Sequence, residues 1–389
     1  MKIRFLMHQV YGGGGGVLTV VRGLAEELGG RHEVELVSVL RTAEEPVHRL
    51  PAGVSVRALA DVRPAAGSGP GQLLRRTALR SHSRLIPPDE PHYRHYSLYS
   101  DLQLARYLRS VRDGALVGMQ PGVTLAVARF ARSSVVRVGQ DHRPFVVRKK
   151  LMEKHLRRHL PSLDMFLTLT ETDARRYRQA LGALPPVRAM PNATPDYTGT
   201  MSDHTQRVVT AAGHLTRDKG FDRLIDAWAI VHSRHPDWEL RIYGKGKREH
   251  ELAQQITALG LEDSVRLMGY SSSLMQAMVA SSVFVLSSRV EGYGMVLVEA
   301  MSCGVPVVSF DCPTGPRDII TPGVDGLLVP NGDIVAMADA IGRLIERPAE
   351  RREMGVAASR SARLRSQPAV AARWESMLTE LASGKRAVT

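Results

Sequence analysis

The stretch VEGYGMVLVEAMSCGVPVVSFDCPTGPRDII, residues 290–320, places two carboxylates, Glu291 and Glu299, on either side of seven residues. VFVLSS before it reads as a strand, RVEGYG as the loop that ends that strand, and MVLVEAMS as a helix closed by Gly304 just past its end. Glu291 then lies on the loop, and Glu299 lies about one turn into the helix beside the free amides of Gly294, Met295, Val296 and Leu297. Such amides suit diphosphate oxygens. A helix acid beside them can accept from two vicinal hydroxyls of a ribose, and a loop acid can reach the hydroxyls of a sugar. Two acids taken alone are equally well explained as an exposed helix acid and a cap.

Three further segments bear chemistry. In YGGGGGVLTVVRGLAEEL, five glycines (Gly12 to Gly16) end a strand and open a helix, so backbone amides can approach an anion with no side chain in the way. The run matches a dinucleotide-binding spacing only loosely, and a turn with no ligand is the plain alternative. In VVRVGQDHRPF, Gln140, Asp141 and His142 leave the carboxyl end of a buried strand, where open α/β sheets place ligands. A lone histidine there is more often structural than catalytic. In AAGHLTRDKGF, Arg217 and Lys219 flank a helix start, a place where charge and free N–H groups converge on a phosphate; by itself the segment is hard to tell from a solvated loop.

The elements that position these groups are short apolar strands alternating with helix-patterned segments. KIRFLMHQV, VELVSVL, ALVGMQ, VVRVGQ and MFLTLT fall in the first half, and RVVTAAG, ELRIYGKG, VRLMG, VFVLSS, VPVVSFD and GLLVP in the second. Their nearly continuous apolar character is that of strands buried on both faces of a parallel sheet. Phe221, Leu224, Ile225, Trp228 and Val231 share one helix face between two of them. The alternation breaks once, at the polar stretch 191–206, the natural linker between two doubly wound domains. The expected division is an N-terminal domain over 1–195, a C-terminal domain over 196–368, and a last helix (369–389) that crosses back onto the first domain through Val370, Trp374, Met377 and Leu378. Residues 62–100, rich in Pro, Gly and Arg, read as a mobile surface excursion.

Composition narrows the class. The chain has 389 residues, 43% hydrophobic, and is long enough for two cores. Its two cysteines, Cys303 and Cys312, offer no disulfide framework or CxxC metal site. Without an apolar run of membrane-spanning length or a signal peptide, the expected location is the cytoplasm, with peripheral contact at the inner face of the membrane left open. The formal charge of +13 is unevenly spread: residues 1–200 hold 30 Lys and Arg against 17 Asp and Glu, while 201–389 hold 22 of each. A basic first half points to a phosphate-bearing or anionic-lipid partner, or to a solvated basic surface.

Together, EGYGMVLVE, AMSCGVPVVSFDCPTGPRDII, GVDGLLVPNGD and the preceding GHLTRDKGFDRLI resemble the donor half of the family 4 (GT4) retaining glycosyltransferases of the GT-B fold, over about residues 207–345. SFDCPTGPRDII is similar to the exopolysaccharide and teichoic-acid branch. The first half resembles the family more loosely, through YGGGGGV, GQDH and LDMFLTLTETDARRY. The resemblance implies two Rossmann-like α/β domains with doubly wound parallel sheets facing a central cleft. It also implies transfer of a hexose or N-acetylhexosamine from a nucleoside diphosphate sugar, UDP by family frequency, to a glycan, lipid-linked or small-molecule acceptor.

By the same resemblance, Glu291 contacts the transferred sugar, Glu299 holds the nucleotide ribose and Lys219 neutralises the diphosphate. His142 lies near the reacting sugar, and Gly14, Gly15 and Gly16 match the loop facing the diphosphate. Arg217 and Gly269, with the amides of Gly294 to Leu297, complete the donor set. One position departs from the family: His214 stands where the family usually has an arginine, so Arg217 or a protonated His214 must make up the missing charge. No DxD-like pair stands in a loop, and metal-independent transfer with no cofactor is the expectation.

Two other classes remain open from the residues. A nicotinamide-dependent oxidoreductase would use Gly12 to Gly16 but leaves the second domain unexplained. A nucleic-acid binder would use the positive charge, but the first half has no interleaved aromatics or known reading module, and no nucleic-acid partner is expected. In FVVRKKLMEKHLRRHLPSL, Met152, Leu156, Leu160 and Leu163 form an apolar stripe among Arg148, Lys149, Lys150, Lys154, Arg157 and Arg158. This basic amphipathic helix either lies on anionic lipid or turns its stripe to the core and leaves a solvated rim.

Overall fold

The computed structural model describes residues 1–12, 15–63, 70–195 and 197–386. The chain divides into unit 1, Met1–Ala193 with Gln367–Thr389, and unit 2, Thr194–Ser366.

Unit 1 is built on seven strands: β1 (Lys2–Gln9), β2 (Glu33–Arg41), β3 (Val54–Asp61), β4 (Ala115–Gly118), β5 (Val136–Gln140), β6 (Met165–Thr168) and β7 (Val187–Ala189). They form one sheet in the order β3-β2-β1-β4-β5-β6-β7, parallel throughout. Unit 2 holds β8 (Val208–Ala212), β9 (Glu239–Tyr243), β10 (Val265–Gly269), β11 (Val283–Leu286), β12 (Val307–Phe310) and β13 (Gly326–Val329). Their order is β10-β9-β8-β11-β12-β13, again all parallel. Every strand named from the apolar runs is present. β3 and β7 were not anticipated: β3 alternates between covered and exposed positions and β7 has three residues, one of them buried, so neither carries a continuous apolar run.

Both sheets change winding direction at their centre, β1 to β4 in unit 1 and β8 to β11 in unit 2. Neighbouring loops diverge at such a point and leave a crevice at the carboxyl ends of the two strands.

The helix Phe221–Arg234 buries Phe221, Leu224, Ile225, Trp228 and Val231 in the core of unit 2. In unit 1, the last helix, Gln367–Arg386, returns to the core through Val370, Trp374, Met377 and Leu378. The Trp374 ring meets Phe5 edge-on at 5.7 Å.

One expectation is corrected, and one open reading is resolved. The segment 62–100 is not a surface excursion over its second part: Ile86 and Tyr96 are buried in a core of unit 1. Asp101 ties that part down by accepting from Ser83 Oγ at 2.7 Å and from the Arg84 and Leu85 amides; residues 64–69 lie outside the described set. The apolar stripe of the basic helix, Lys150–His159, faces protein rather than lipid, since Met152, Leu156, Leu160 and Leu163 all belong to that same core. An apolar stripe of four residues fits either surface, and only the neighbouring elements decide which one covers it.

Candidate functional site

In unit 2 the two central strands each end in a loop with the anticipated chemistry. After β8, Gly213 and His214 lead into a short turn, Arg217–Lys219, closed by Gly220 in the left-handed region (φ 64°). A Cβ at Gly220 would lie 2.1 Å from the Ser287 carbonyl oxygen, so the loop after β8 and the loop after β11 touch through a position only glycine can fill. Ser287 Oγ donates to the Lys219 carbonyl and the Arg289 amide to the Asp218 carbonyl, which fastens the two loops together.

This fastening brings Lys219 to Glu291. Lys219 Nζ donates to Glu291 Oε1 at 2.5 Å, and Ser288 Oγ donates to the same oxygen at 2.6 Å. The Glu291 side chain is 8% exposed and the Lys219 side chain 26%. The backbone of Glu291 is pinned as well, its amide donating to the Pro313 carbonyl and its own carbonyl accepting from the Thr314 amide. Beneath the loops, Asp222 receives Arg289 through both carboxylate oxygens and Arg248 through one. Burial disfavours the Asp222 anion, but the hydrogen bonds from Arg289 and Arg248 outweigh it and hold the carboxyl well below the usual range.

Glu299 lies in the second turn of the helix Met295–Ser302, which opens at Gly294 (φ 99°). Its carboxylate has no hydrogen-bond partner among the described residues, and burial pushes it above the usual carboxylate range. The amides of Met295, Val296 and Leu297 occupy the first turn, with the Leu297 amide bonded back to Gly294. Gly269 closes β10 in the left-handed region, accepts from the Gly244 amide and lies beside Lys245. His214 and Arg217 are exposed, with no ion pair among the described residues.

In unit 1 the crevice between β1 and β4 opens into a cavity of about 370 Å³, bordered by His8, Gln9, Gly15, Gly16, His92 and Gln120. Gly15 caps the helix Gly16–Gly29 in an extended conformation, and a Cβ on Gly15 or Gly16 would meet nothing within 4 Å. Gly14 lies outside the described residues. His142 follows β5; burial pushes its imidazole down to about 4, against the opposing pull of Asp141 and Asn192. Asp141 does structural work: it pairs with Arg148, accepts from the Tyr177 hydroxyl and receives the Arg143 amide. Those bonds shape the loop that presents His142.

Several functional neighbours had no signal in the sequence. Ser288 and the Arg289–Asp222–Arg248 cluster come together only through the contact of the two loops. His8, His92 and His95 also converge in unit 1, although the spacing of His92 and His95, three apart, was readable.

Residues 199–361 match the family Glycosyl transferases group 1. The matched residues all fall within unit 2. An exopolysaccharide phosphotransferase of Streptomyces coelicolor is 35% identical over 390 residues, covering 98% of this chain and 41% of that protein. The poly(ribitol-phosphate) alpha-N-acetylglucosaminyltransferase of Staphylococcus aureus is 31% identical over 151 residues, or 39% of this chain and 31% of that protein. The chain thus spans about two fifths or less of the length of these curated relatives. Among solved structures, S. aureus TarM in complex with Fondaparinux, alpha-GlcNAc-glycerol and UDP superposes with a TM-score of 0.73 at 16% identity, covering 97% of this chain and 99% of that one. That likeness establishes the GT-B fold. The matched residues include Lys219, Glu291 and Glu299, and none of the described helices is long and apolar enough to cross a membrane.

Proposed function

We propose that the chain transfers a hexose or N-acetylhexosamine, with retention and without a metal, from a nucleoside diphosphate sugar, UDP first among the bases, to a hydroxyl of a cell-surface glycan or lipid-linked acceptor. The observation that carries this reading is the meeting of Lys219 with Glu291 at the switch point of unit 2, one short turn before the free amides of the helix Met295–Ser302. A cation and a row of amides suit a leaving diphosphate. A carboxylate held by Lys219 and Ser288 is oriented toward sugar hydroxyls, and the unpartnered Glu299 is available to a ribose.

In this mechanism the anomeric carbon–oxygen bond breaks as the acceptor oxygen approaches. Negative charge grows on the diphosphate, where Lys219, Arg217 and the amides of Gly294 to Val296 stabilise it. The departing phosphate takes the acceptor proton on the same face, so no protein nucleophile is required. His142, neutral near pH 7, orients sugar or acceptor through hydrogen bonds rather than carrying charge.

The experiment is a screen of nucleoside diphosphate sugars for donor hydrolysis and transfer by purified protein, with the released nucleotide identified. Sugar transfer releases a nucleoside diphosphate. The S. coelicolor relative is named a phosphotransferase, which gives a second reading for this chain: sugar-phosphate transfer, which would release a nucleoside monophosphate. Failure to release either nucleotide from any donor would overturn both.

A further inference from the structure

Three histidines of unit 1 meet without any role in the chemistry above. His8 lies at the carboxyl end of β1, His92 precedes the short turn Tyr93–His95 and His95 ends it. Their ring centroids are 4.7 Å (His8–His92), 5.4 Å (His8–His95) and 5.8 Å (His92–His95) apart. One ligand nitrogen from each ring lies within 4.8 Å of the others. We propose that His8, His92 and His95 bind a divalent transition ion of the zinc class, with its remaining position open to the cavity between β1 and β4.

The chemistry of the donor set selects that class. Three imidazoles with no carboxylate suit zinc, copper, nickel or cobalt, and not calcium or magnesium, which take oxygen ligands. Histidine triads with one position left open are the pattern of ions that receive water or a ligand oxygen. The second observation is His8 Nε2. The residue is 4% exposed, and this nitrogen is buried without a hydrogen-bond partner among the described residues. An unsatisfied buried polar atom is costly, and a metal would satisfy it.

The surroundings fit a site with one rigid side. The His8 amide donates to Gln120 Oε1 at 2.8 Å, and the Tyr96 ring packs against the imidazole at 5.0 Å. His92 and His95 are exposed and free to adjust. The three rings lie nearly parallel, with interplanar angles of 8°, 21° and 18°, and nitrogens on a tetrahedral zinc are about 3.3 Å apart, so binding must turn the two exposed rings as well as draw them inward by about 1 Å. His8 and His92 both border the cavity, which leaves an ion between them accessible to a ligand bound there.

The test uses the untagged full chain, stripped with EDTA. One equivalent of Co²⁺ should produce the visible d–d absorption of a low-coordinate histidine site, and Zn²⁺ should abolish that absorption and raise the melting temperature. His92→Ala and His95→Ala, both at exposed positions, should each weaken Zn²⁺ binding by calorimetry at least about tenfold. Their melting temperatures without metal should match the parent's, so that lost binding cannot be lost folding. Absence of stoichiometric binding by the stripped parent chain would overturn the proposal, as would Zn²⁺ affinity unchanged in both variants.

Discussion

Lys219 and Glu291, 72 residues apart, share a 2.5 Å hydrogen bond that joins the loop after β8 to the loop after β11. The two groups to which sugar and phosphate contacts are assigned therefore set each other's position before any donor arrives. Replacing Lys219 by Ala removes the cation proposed for the diphosphate and leaves a nearly buried carboxylate without its lysine partner. Donor turnover should fall by about 10²-fold or more. Glu291→Gln keeps an acceptor for Ser288 and Lys219, so nucleotide binding should survive while kcat falls. Steady-state kinetics with nucleotide-binding calorimetry checks both, and near-normal turnover in Lys219→Ala would remove the lysine from the mechanism.

His214 is exposed on the same loop, where the family usually supplies an arginine. His214→Arg should lower KM for the donor several-fold, and Arg217→Ala should raise it. If neither substitution moved KM, the charge balance of the leaving group would have to reside elsewhere.

Glu90 is buried beside the Gly122 amide, which donates to it at 3.1 Å. Burial pushes its carboxyl up to about 7, Arg148 opposing and Asp141 adding to the rise. The folded state then holds a proton that the unfolded chain releases above about pH 4.5. The stability this proton contributes is complete below that pH and is lost as pH rises toward 7, by up to about 3 kcal/mol. Glu90→Gln should therefore gain on the parent as pH climbs from 5 to 8 in urea unfolding. A difference between the two proteins that stays constant over that range would contradict the assignment.

Asp141 and Arg148 form an ion pair whose side chains are 1% and 3% exposed. Asp141→Ala strands the guanidinium in the interior and should cost about 3–5 kcal/mol. It should also weaken catalysis indirectly, since the same carboxylate shapes the loop of His142. Unfolding energies separate this from a surface pair, for which a loss below about 1 kcal/mol is the norm.

Lys149, Lys150, Lys154, Arg157 and Arg158 remain exposed around the helix Lys150–His159, whose apolar stripe is covered by protein. Any attraction to anionic vesicles through this rim is electrostatic alone. Binding should vanish at high salt, where screening lengths shrink to about 3 Å, and in a Lys149, Lys150, Arg157, Arg158→Glu variant. Salt-resistant binding would require an inserted apolar face that this helix does not have.

The sequence by itself determined the alternation of strand and helix and the division into two parallel-sheet units. Both rest on local signals: continuous apolar runs for buried strands, a 3.6-residue period for helices, and glycines at loop ends. Lys219, Glu291 and Glu299 stood out through the resemblance of their motifs to a family, not through local pattern. Tertiary structure alone decided what these groups touch. Sheet order makes β8 and β11 neighbours, and that adjacency lets Lys219 reach Glu291 and Arg289 reach Asp222. The same adjacency of β1 and β4, with a segment that looked like a surface excursion folded against them, gathers His8, His92 and His95. The stripe of the basic helix was legible, but its partner was not, because a face's periodicity states that it must be covered and leaves open by what. Long-range contacts of this kind depend on strand order, which no short window of sequence encodes.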